Sequence, residues 1–280
     1  MRLVITGAAG MLGRDVARAA RAENHEVVAL AHDELDLLDA EAVRTTIAAE
    51  RPGAVINCAA WTDVDGAEAD EAAATRLNGD AAGNLAAAAA EAGAAIVHPS
   101  TDYVFDGTGN RPYVESDPTD PVNAYGRSKL AGEQAVAAAN PRHFVVRTSW
   151  LFGAHGRNFV ETMLGLASAG GPVLVVRDQV GCPTYTAHLA EALVRLVDGE
   201  SYGLHHIAGG GECSWFEFAN EIFERAGTDT RAMSCTSDEF PRPAPRPAYS
   251  VLRTERDYGL ELPPWQDGLA SYLAERAVAR

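Results

Sequence analysis

Arg2-Leu-Val-Ile-Thr-Gly-Ala-Ala-Gly-Met-Leu-Gly13 is the stretch of sequence that decides the fold. The apolar and β-branched residues after Arg2 predict a short strand. Glycines follow at a G-x-x-G-x-x-G spacing, and an apolar periodicity from Leu12 to Ala20 predicts a helix directly after them. Glycines let the backbone approach a pyrophosphate closely, and a helix N-terminus offers it free N–H groups. The stretch therefore predicts a dinucleotide site, with a plain tight turn between strand and helix as the alternative.

Strand and helix patterns alternate through the first 150 residues. Apolar runs at residues 26–31, 54–60, 94–100 and 143–150 predict further strands, and alanine-rich stretches such as 69–92 predict helices between them. Such alternation, with nearly continuous apolar strands, is typical of a parallel sheet covered on both faces. The expected fold is α/β, with a doubly wound parallel Rossmann sheet over residues 1–150.

The pattern changes after residue 150, where a smaller C-terminal α/β domain over residues 151–280 is expected to bind mainly the substrate. Strand-like runs near 173–178 and 202–208 are expected to complete the Rossmann sheet. Ser214-Trp-Phe-Glu217 is a capping-box pattern and predicts the start of a helix.

Composition narrows the class of protein. The chain has 280 residues, of which 47% are hydrophobic, and a formal net charge of −16. That charge argues against general nucleic-acid binding, which depends on neutralising phosphates. No apolar run approaches the length of a membrane span, and the cysteines have neither metal-ligand spacing nor the density of a disulfide scaffold. These features predict a cytoplasmic protein that binds no membrane.

Lys129 is the only lysine in the chain, and it lies four residues after a tyrosine in Tyr125-Gly-Arg-Ser-Lys129. A tyrosine and a lysine at this spacing share one face of a helix. The ammonium favours tyrosinate, so the pKa of the phenol, ordinarily about 10, is expected to fall toward working pH. Tyr125 is therefore predicted to be a general acid or base, with chance pairing on a solvated helix as the alternative.

Thr101 follows the fourth predicted strand, in Ser100-Thr-Asp-Tyr-Val-Phe-Asp-Gly107. This position lies at the carboxyl edge of the sheet, where doubly wound folds bind ligands. A hydroxyl there can hydrogen-bond to a carbonyl oxygen of a substrate, although a cap or turn is the alternative. Glycine turn, hydroxyl and Tyr-x-x-x-Lys together predict a cofactor site, an oxygen-polarising group and a proton donor.

At these residues the chain resembles the extended short-chain dehydrogenase/reductase family and, within it, the dTDP-4-dehydrorhamnose reductases. The narrower resemblance rests on motifs spread through nearly the whole chain: Cys58-Ala-Ala-Trp-Thr-Asp-Val-Asp65, Ser100-Thr-Asp-Tyr-Val-Phe-Asp-Gly107, Tyr125-Gly-Arg-Ser-Lys-Leu-Ala-Gly-Glu133, Arg147-Thr-Ser-Trp-Leu-Phe-Gly153, Asn158-Phe-Val, Asp178-Gln-Val-Gly-Cys-Pro-Thr184 and Arg246-Pro-Ala-Tyr-Ser250.

The resemblance implies NAD(P)H-dependent reduction of the C4 keto group of dTDP-4-dehydro-6-deoxy-L-mannose to dTDP-L-rhamnose. The implied catalytic residues are Thr101, Tyr125 and Lys129. The expected cofactor-binding residues are Gly7, Gly10, Met11, Leu12, Gly13, Asp36, Leu37, Ala59, Ala60, Trp61, Tyr125 and Lys129. The expected substrate residues are Thr101, Asp102, Trp150, Asn158 and Arg246, with Trp215 in the same substrate half.

The choice of cofactor is open between NADH and NADPH. Residues 28–42 contain no arginine or lysine for a 2′-phosphate, whereas Asp33, Glu34 and Asp36 can accept from a ribose hydroxyl. The sequence therefore favours NADH, although Arg14 or an arginine distant in sequence can reverse that preference.

The expected partner is a nucleotide sugar, and a homodimer is left open. Some relatives bind magnesium through glutamates at a dimer interface. Here Asp15 can replace one of them, but Ala187 stands in the place of another, so no required metal is expected.

Other functions compete with this prediction. A 4-ketoreductase of another dTDP-deoxysugar and a nucleotide-sugar epimerase are alternatives among enzymes. A noncatalytic regulatory subunit resembling methionine adenosyltransferase β is the alternative outside them, but it has no chemical need for Thr101, Tyr125 and Lys129.

Overall fold

The computed structural model describes residues 1–257 and 259–278. Its strands are β1 (Arg2–Thr6), β2 (Glu26–Leu30), β3 (Ala54–Asn57), β4 (Ala95–Thr101), β5 (His143–Thr148), β6 (Leu151–Phe152), β7 (Val173–Val176), β8 (Val180–Gly181), β9 (Thr184–Tyr185), β10 (Gly203–His206), β11 (Cys213–Ser214) and β12 (Ala232–Cys235). Its helices are α1 (Met11–Ala22), α2 (Ala40–Glu50), α3 (Val64–Ala69), α4 (Glu71–Thr75), α5 (Ala81–Glu91), α6 (Ala124–Ala139), α7 (Phe159–Ala169), α8 (Thr186–Leu196), α9 (Trp215–Arg225) and α10 (Trp265–Val278).

The central sheet is parallel, with strand order β10-β5-β4-β3-β1-β2. The chain first steps from β1 to β2 and then places β3 on the other side of β1, so the strand order reverses at that point. A crevice opens at the carboxyl ends of the strands where such a reversal occurs. This arrangement confirms the predicted doubly wound parallel sheet and locates its ligand-binding edge.

Alternate residues of the strands enter two different cores. Leu3 and Ile5 of β1 pack with α1 and α8 on one face, whereas Val4 packs with α2 and α5 on the other. All three side chains are fully buried. Both faces of the strand are therefore apolar, which explains why the sequence shows a continuous hydrophobic run rather than an alternating one.

The two strand-like runs expected to complete the sheet behave differently. The run near 202–208 joins the sheet as β10, which pairs in parallel with β5. The prediction for the run near 173–178 is wrong, because β7 pairs with β12 in a separate two-stranded sheet. Val173 and Val175 are buried while Leu174 is 53% exposed, so this strand has one open face and suits an outer layer.

The outer layer is formed by α7, α9, α10 and the β7–β12 pair around a third core, which is rich in aromatic side chains and includes Phe152, Phe218 and Tyr272. The chain does not divide cleanly at residue 150, since α8 and β10 return to the Rossmann layer. The assignment of residues 151–280 to substrate binding stays a prediction, and residues 258, 279 and 280 lie outside the described structure. Within residues 1–257 and 259–278, each helix is too short or too polar to cross a membrane.

Helix α6, which carries Tyr125 and Lys129, is fastened to the sheet by a buried ion pair. Glu133 accepts two hydrogen bonds from Arg147 of β5, at 2.9 and 2.7 Å, and a third from Ser100 of β4 at 2.6 Å. These three hydrogen bonds to the carboxylate offset the cost of removing the two charges from water. The face of α6 that carries Glu133 is thereby held against the end of β4.

Helix α6 also lies in close contact with the backbone of the segment that contains Asn78. A Cβ atom at Gly132 would lie 2.1 Å from the carbonyl oxygen of Asn78. We expect Gly132→Ala to lower the free energy of unfolding by about 1–3 kcal/mol, because the helix must move away from its neighbour. Thermal unfolding followed by circular dichroism measures the effect.

Gly165→Ala is the matched control, since Gly165 is in α7 and a Cβ atom there would meet nothing within 4 Å. Removing a helical glycine at this open position is expected to stabilise the fold by about 0.5–1 kcal/mol. Equal stability of the two variants would contradict the close packing of α6.

Candidate active site

The glycine turn connects β1 to α1 and packs against the segment that follows β3. Gly7 has φ +65°, and a Cβ atom there would lie 2.4 Å from the amide nitrogen of Ala59. A Cβ atom at Gly13 would lie 2.3 Å from the carbonyl oxygen of Gly7. A side chain at Gly7 would therefore push the turn away from the segment after β3, and one at Gly13 would push α1 away from the turn, which explains both glycines physically.

The N-terminus of α1 opens directly onto this turn. Its N-cap residue is Gly10, which provides no side-chain hydrogen bond to the first helical turn. Free N–H groups and the positive end of the helix dipole therefore face the crevice, where Met11 and Leu12 lie in its wall. This arrangement fits the pyrophosphate of a dinucleotide.

The crevice is a cleft of about 640 Å³. It brings together residues from the turn after β1, the segment after β3, the end of β4, helix α6 and the loops after β5. The predicted site residues in its wall are Gly10, Met11, Leu12, Ala60, Thr101, Asp102, Tyr125, Lys129 and Trp150. Residues far apart in sequence thus meet in one cleft, including the whole predicted catalytic set.

Several predicted cofactor residues lie outside the cleft wall. Gly7, Gly13 and Ala59 form the packed base of the turn. Leu37 is buried in the core beside α2, and Asp36 closes a local turn by accepting from the N–H of Leu38. The Trp61 indole donates to the carbonyl oxygen of Asp63. Their proposed cofactor contacts remain predictions.

Two predicted substrate residues also lie outside the wall. Asn158 is the N-cap of α7, where its side chain accepts from the N–H of Glu161 and donates to the carbonyl oxygen of Gly153. Arg246 is paired with Asp65 at 2.5 Å. An asparagine three residues before a glutamate at a helix start is a capping signal in the sequence itself.

Tyr125 does not have the lowered pKa that the sequence predicts. Burial first, and the charge of Asp102 second, raise its pKa to about 12, while a hydrogen bond with the Thr101 hydroxyl lowers it. The Lys129 ammonium is directed elsewhere, because Nζ donates to the carbonyl oxygen of Pro99 at 2.7 Å. The phenol is therefore protonated at neutral pH and has a proton to donate, and its role as a general acid stays a prediction.

Asp102 lies between Thr101 and the C-terminal segment. Its carboxylate accepts from the Ser250 hydroxyl at 2.5 Å and from the Thr101 hydroxyl at 3.1 Å. Burial raises its pKa to about 7, although both hydrogen bonds oppose that rise. Ser250 was assigned no role from the sequence, yet it lies in the quoted motif that begins at Arg246.

Two stacked indole rings form part of the cleft wall. Trp150 and Trp215 stack with ring centroids 3.5 Å apart and an interplanar angle of 5°. Trp150 has φ +48°, an unfavourable backbone region for a bulky residue. A Cβ atom at Gly181 would lie 2.6 Å from the Trp150 ring, so this glycine makes room for the stack.

Asp15, which the sequence offers as a metal ligand, has protein partners instead. Asp15 is buried and accepts from the Thr186 hydroxyl at 2.5 Å and from Arg18 at 2.9 Å. In the part of the chain that the structure describes, no group of three or more His, Cys, Asp or Glu side chains is arranged to hold a metal ion.

A cleft with a glycine turn suited to a dinucleotide on one side and a protonated phenol on the other fits an oxidoreductase, and the surrounding fold is that of extended short-chain dehydrogenase/reductases. Comparison with known proteins narrows this class. The model of the family described as RmlD substrate binding domain matches residues 1–278, and the chain belongs to this family.

Relatives agree over nearly the full length. The dTDP-4-dehydrorhamnose reductase of Mycolicibacterium smegmatis is 47% identical, and the match covers 98% of this chain and 85% of that protein. The probable dTDP-4,6-dihydroxy-2-methyloxan-3-one 4-ketoreductase of Streptomyces antibioticus is also 47% identical, with 95% and 92% covered. The solved structure of dTDP-4-dehydrorhamnose reductase from Bacillus anthracis in complex with NADP has a TM-score of 0.94 at 38% identity, covering 98% and 99%. These relatives confirm the predicted enzyme class over the noncatalytic alternative.

The raised pKa of Asp102 has a consequence for stability. The unfolded carboxyl ionises near 3.8 and the folded one near 7, so ionisation opposes folding increasingly as pH rises between these values. We expect Asp102→Asn to gain stability relative to the parent protein between pH 4.5 and 7.5, with the gap constant above that range. Melting temperatures across this pH series measure the gap.

Asp65→Asn is a control of opposite sign. Burial raises the pKa of Asp65, but hydrogen bonds from Arg246, the Ala244 N–H and Arg242 outweigh it and hold the pKa below its ordinary value. This variant should lose stability at neutral pH and approach the parent as pH falls. If the melting temperature of Asp102→Asn fell relative to that of the parent protein as pH rises, the raised pKa of Asp102 would be contradicted.

Proposed function

We propose that the protein reduces the C4 keto group of dTDP-4-dehydro-6-deoxy-L-mannose to give dTDP-L-rhamnose, with a reduced nicotinamide dinucleotide as cofactor. The observation that carries this proposal is the meeting of the uncapped α1 N-terminus with Thr101 and Tyr125 in one cleft. Family membership and the named activity of relatives support it.

The bound cofactor would supply a hydride to C4. Tyr125 would give its phenolic proton to the oxygen that becomes the new hydroxyl, and its raised pKa keeps that proton available at neutral pH. The Thr101 hydroxyl, which bonds to the phenol, would orient Tyr125 and the ketone oxygen. Lys129 would restore the proton of Tyr125 and hold the nicotinamide ribose.

Recognition of the anionic substrate requires local positive charge, because the chain carries a formal net charge of −16. The exposed Arg157 lies in the wall of the cleft and supports a diphosphate site there. We retain Arg246 as a substrate residue in this proposal, although it must first release Asp65. Asp102 and the stacked Trp150 would contact the sugar.

We propose NADH as the preferred cofactor. Asp33 is exposed shortly after β2, where an acidic side chain can accept from a ribose hydroxyl. The NADP bound by the Bacillus anthracis relative argues for the other choice. A homodimer and a cytoplasmic location, both considered from the sequence, stay predictions.

A second candidate is a 4-ketoreductase that acts on a different dTDP-deoxysugar. The Streptomyces antibioticus relative favours it, because it is as identical to this chain as the Mycolicibacterium smegmatis reductase is. Both candidates use the same proton donor and differ only in the sugar that the Trp150 and Trp215 wall accepts.

The decisive assay follows the loss of absorbance at 340 nm with NADH and, separately, with NADPH. The substrate is the 4-keto sugar made by an upstream dTDP-glucose dehydratase and epimerase. We expect one cofactor oxidised per sugar reduced, with dTDP-L-rhamnose as product and faster turnover with NADH. A product with the other configuration at C4, or turnover only with another keto sugar, would favour the second candidate. Catalytic cofactor recycling without net oxidation would indicate an epimerase.

Tyr125→Phe tests the proton donor. Loss of general acid catalysis is expected to lower kcat by about 10²–10⁴-fold while cofactor affinity, measured by fluorescence quenching, stays within a few-fold. Tyr202→Phe is the control, because the Tyr202 hydroxyl accepts only a peripheral hydrogen bond from Arg142 and lies outside the cleft wall. Near-parental kcat in Tyr125→Phe would refute the assignment.

A further inference from the structure

A buried chain of polar side chains extends from Lys129 away from the cleft. Lys129 Nζ lies 3.4 Å from His98 Nε2, and His98 Nδ1 lies 3.2 Å from the side-chain nitrogen of Asn57. Asn57 Oδ1 in turn accepts from the Thr6 hydroxyl at 2.8 Å. The four side chains are 1–3% exposed, so the protein itself must satisfy their hydrogen-bonding groups.

The orientation of the Asn57 amide is fixed by the backbone. Its Oδ1 accepts from the N–H of Ala59 at 3.2 Å, a group that can only donate. Rotating the amide would place two donors against each other there. The NH₂ group of Asn57 must therefore face His98 Nδ1, which accepts from it.

The proton of His98 then lies on Nε2. Burial, and the charge of Lys129 second, hold the pKa of His98 well below its ordinary value, so the imidazole is neutral and carries one N–H. Since Nδ1 accepts from Asn57, the Nε2–H is directed at Lys129 Nζ. In the other tautomer the proton is on Nδ1, and this N–H donor would face the NH₂ donors of Asn57.

An ammonium at Lys129 does not satisfy this arrangement. An ammonium has donors and no acceptor, so it opposes the His98 N–H donor. A neutral amine has one lone pair, which can accept from His98 Nε2–H while an amine hydrogen still bonds to Pro99 at 2.7 Å. The hydrogen-bond partners on this side of Lys129 therefore favour the neutral form.

The charged groups around Lys129 favour its ammonium form only weakly. Burial first lowers its pKa to about 8, while Glu133 of α6 and Cys58 after β3 raise it. The carboxylate oxygens of Glu133 are already bound by Arg147 and Ser100. Tyr125, on the same face of α6, is protonated at neutral pH and adds no negative charge there.

We propose that His98 is a positioning residue: it stabilises the neutral amine that remains after the Lys129 ammonium has given a proton to Tyr125, so that Lys129 loses and regains a proton in each turnover instead of remaining a fixed cation. This inference rests on the proposed function for the step itself. Tyr125 loses its proton to the sugar oxygen, the Lys129 ammonium returns a proton to the tyrosinate, and the amine then takes a proton from solvent. The net proton comes from water and the hydride from the cofactor, so the reaction balances.

The single lysine makes a direct test practical. Protein labelled with ¹³Cε,¹⁵Nζ-lysine gives one side-chain signal, apart from any purification tag, and its pH titration reports the pKa of Lys129 without substrate. We expect a midpoint near 8 in the parent protein. A midpoint above about 10, the ordinary range of lysine, would overturn the proposal without any variant.

His98→Asn separates the role of His98 from burial. The shorter amide can still accept from Asn57 but has no group that reaches Lys129, so we expect the midpoint to rise by roughly one unit. His143→Asn is the matched control, because His143 begins β5 at the opposite end of the sheet from Pro99 and should leave the midpoint unchanged. An unchanged or lowered midpoint in folded His98→Asn refutes the inference.

Turnover provides a second readout. The alkaline limb of the kcat–pH profile should move in the same direction as the lysine midpoint in His98→Asn, whereas a purely structural defect would lower kcat at every pH. Failure of the proposed substrate would leave the lysine titration interpretable, so the two proposals fail separately. A titration shift without movement of the kcat limb would reject the proton-transfer role.

Discussion

The buried ion pair between Glu133 and Arg147 is the interaction on which the active site depends. Both side chains are less than a tenth exposed, and the pair joins α6, β5 and the end of β4. Removing one partner of such a pair typically costs about 3–5 kcal/mol, because the other charge is left buried and unpaired. The arrangement therefore sets where Tyr125 and Lys129 lie relative to Thr101, and the glycines of α6 permit the close approach that it requires.

The cleft lies between the central sheet and the outer layer, and the chain passes from one to the other more than once. Helix α8 and strand β10 return to the Rossmann sheet after β6 and α7 have entered the outer layer. Loops carry Trp150 and Arg157 to the carboxyl edge of the sheet, and the first turn of α9 carries Trp215 there, opposite the glycine turn. One wall thus comes from strand ends and the other mainly from loops, where sequence changes can alter ligand choice without disturbing the sheet.

Sequence patterns predicted most of the sheet and the residues that meet in the cleft, Thr101, Tyr125 and Lys129, because strand ends and the Tyr-x-x-x-Lys spacing are local signals. They failed for β7, which has the apolar content of a sheet strand, yet its open face places it beside β12. Asn158 caps α7, and its role in substrate binding stays a prediction. The pKa of Tyr125 depends on burial and Asp102, and the partner of His98 depends on tertiary contacts, so neither follows from spacing.

The stacking of Trp150 on Trp215 competes with the binding of any ligand that would insert between the two rings. A stacked aromatic pair contributes about 0.5–1.5 kcal/mol beyond its buried area. Any ligand that separates the two indoles must replace that interaction, which weakens its apparent affinity roughly two- to tenfold. A ligand that leaves the rings together incurs no such loss. The pair therefore discriminates among bound molecules by whether they wedge the rings apart, independently of any hydrogen bond they make.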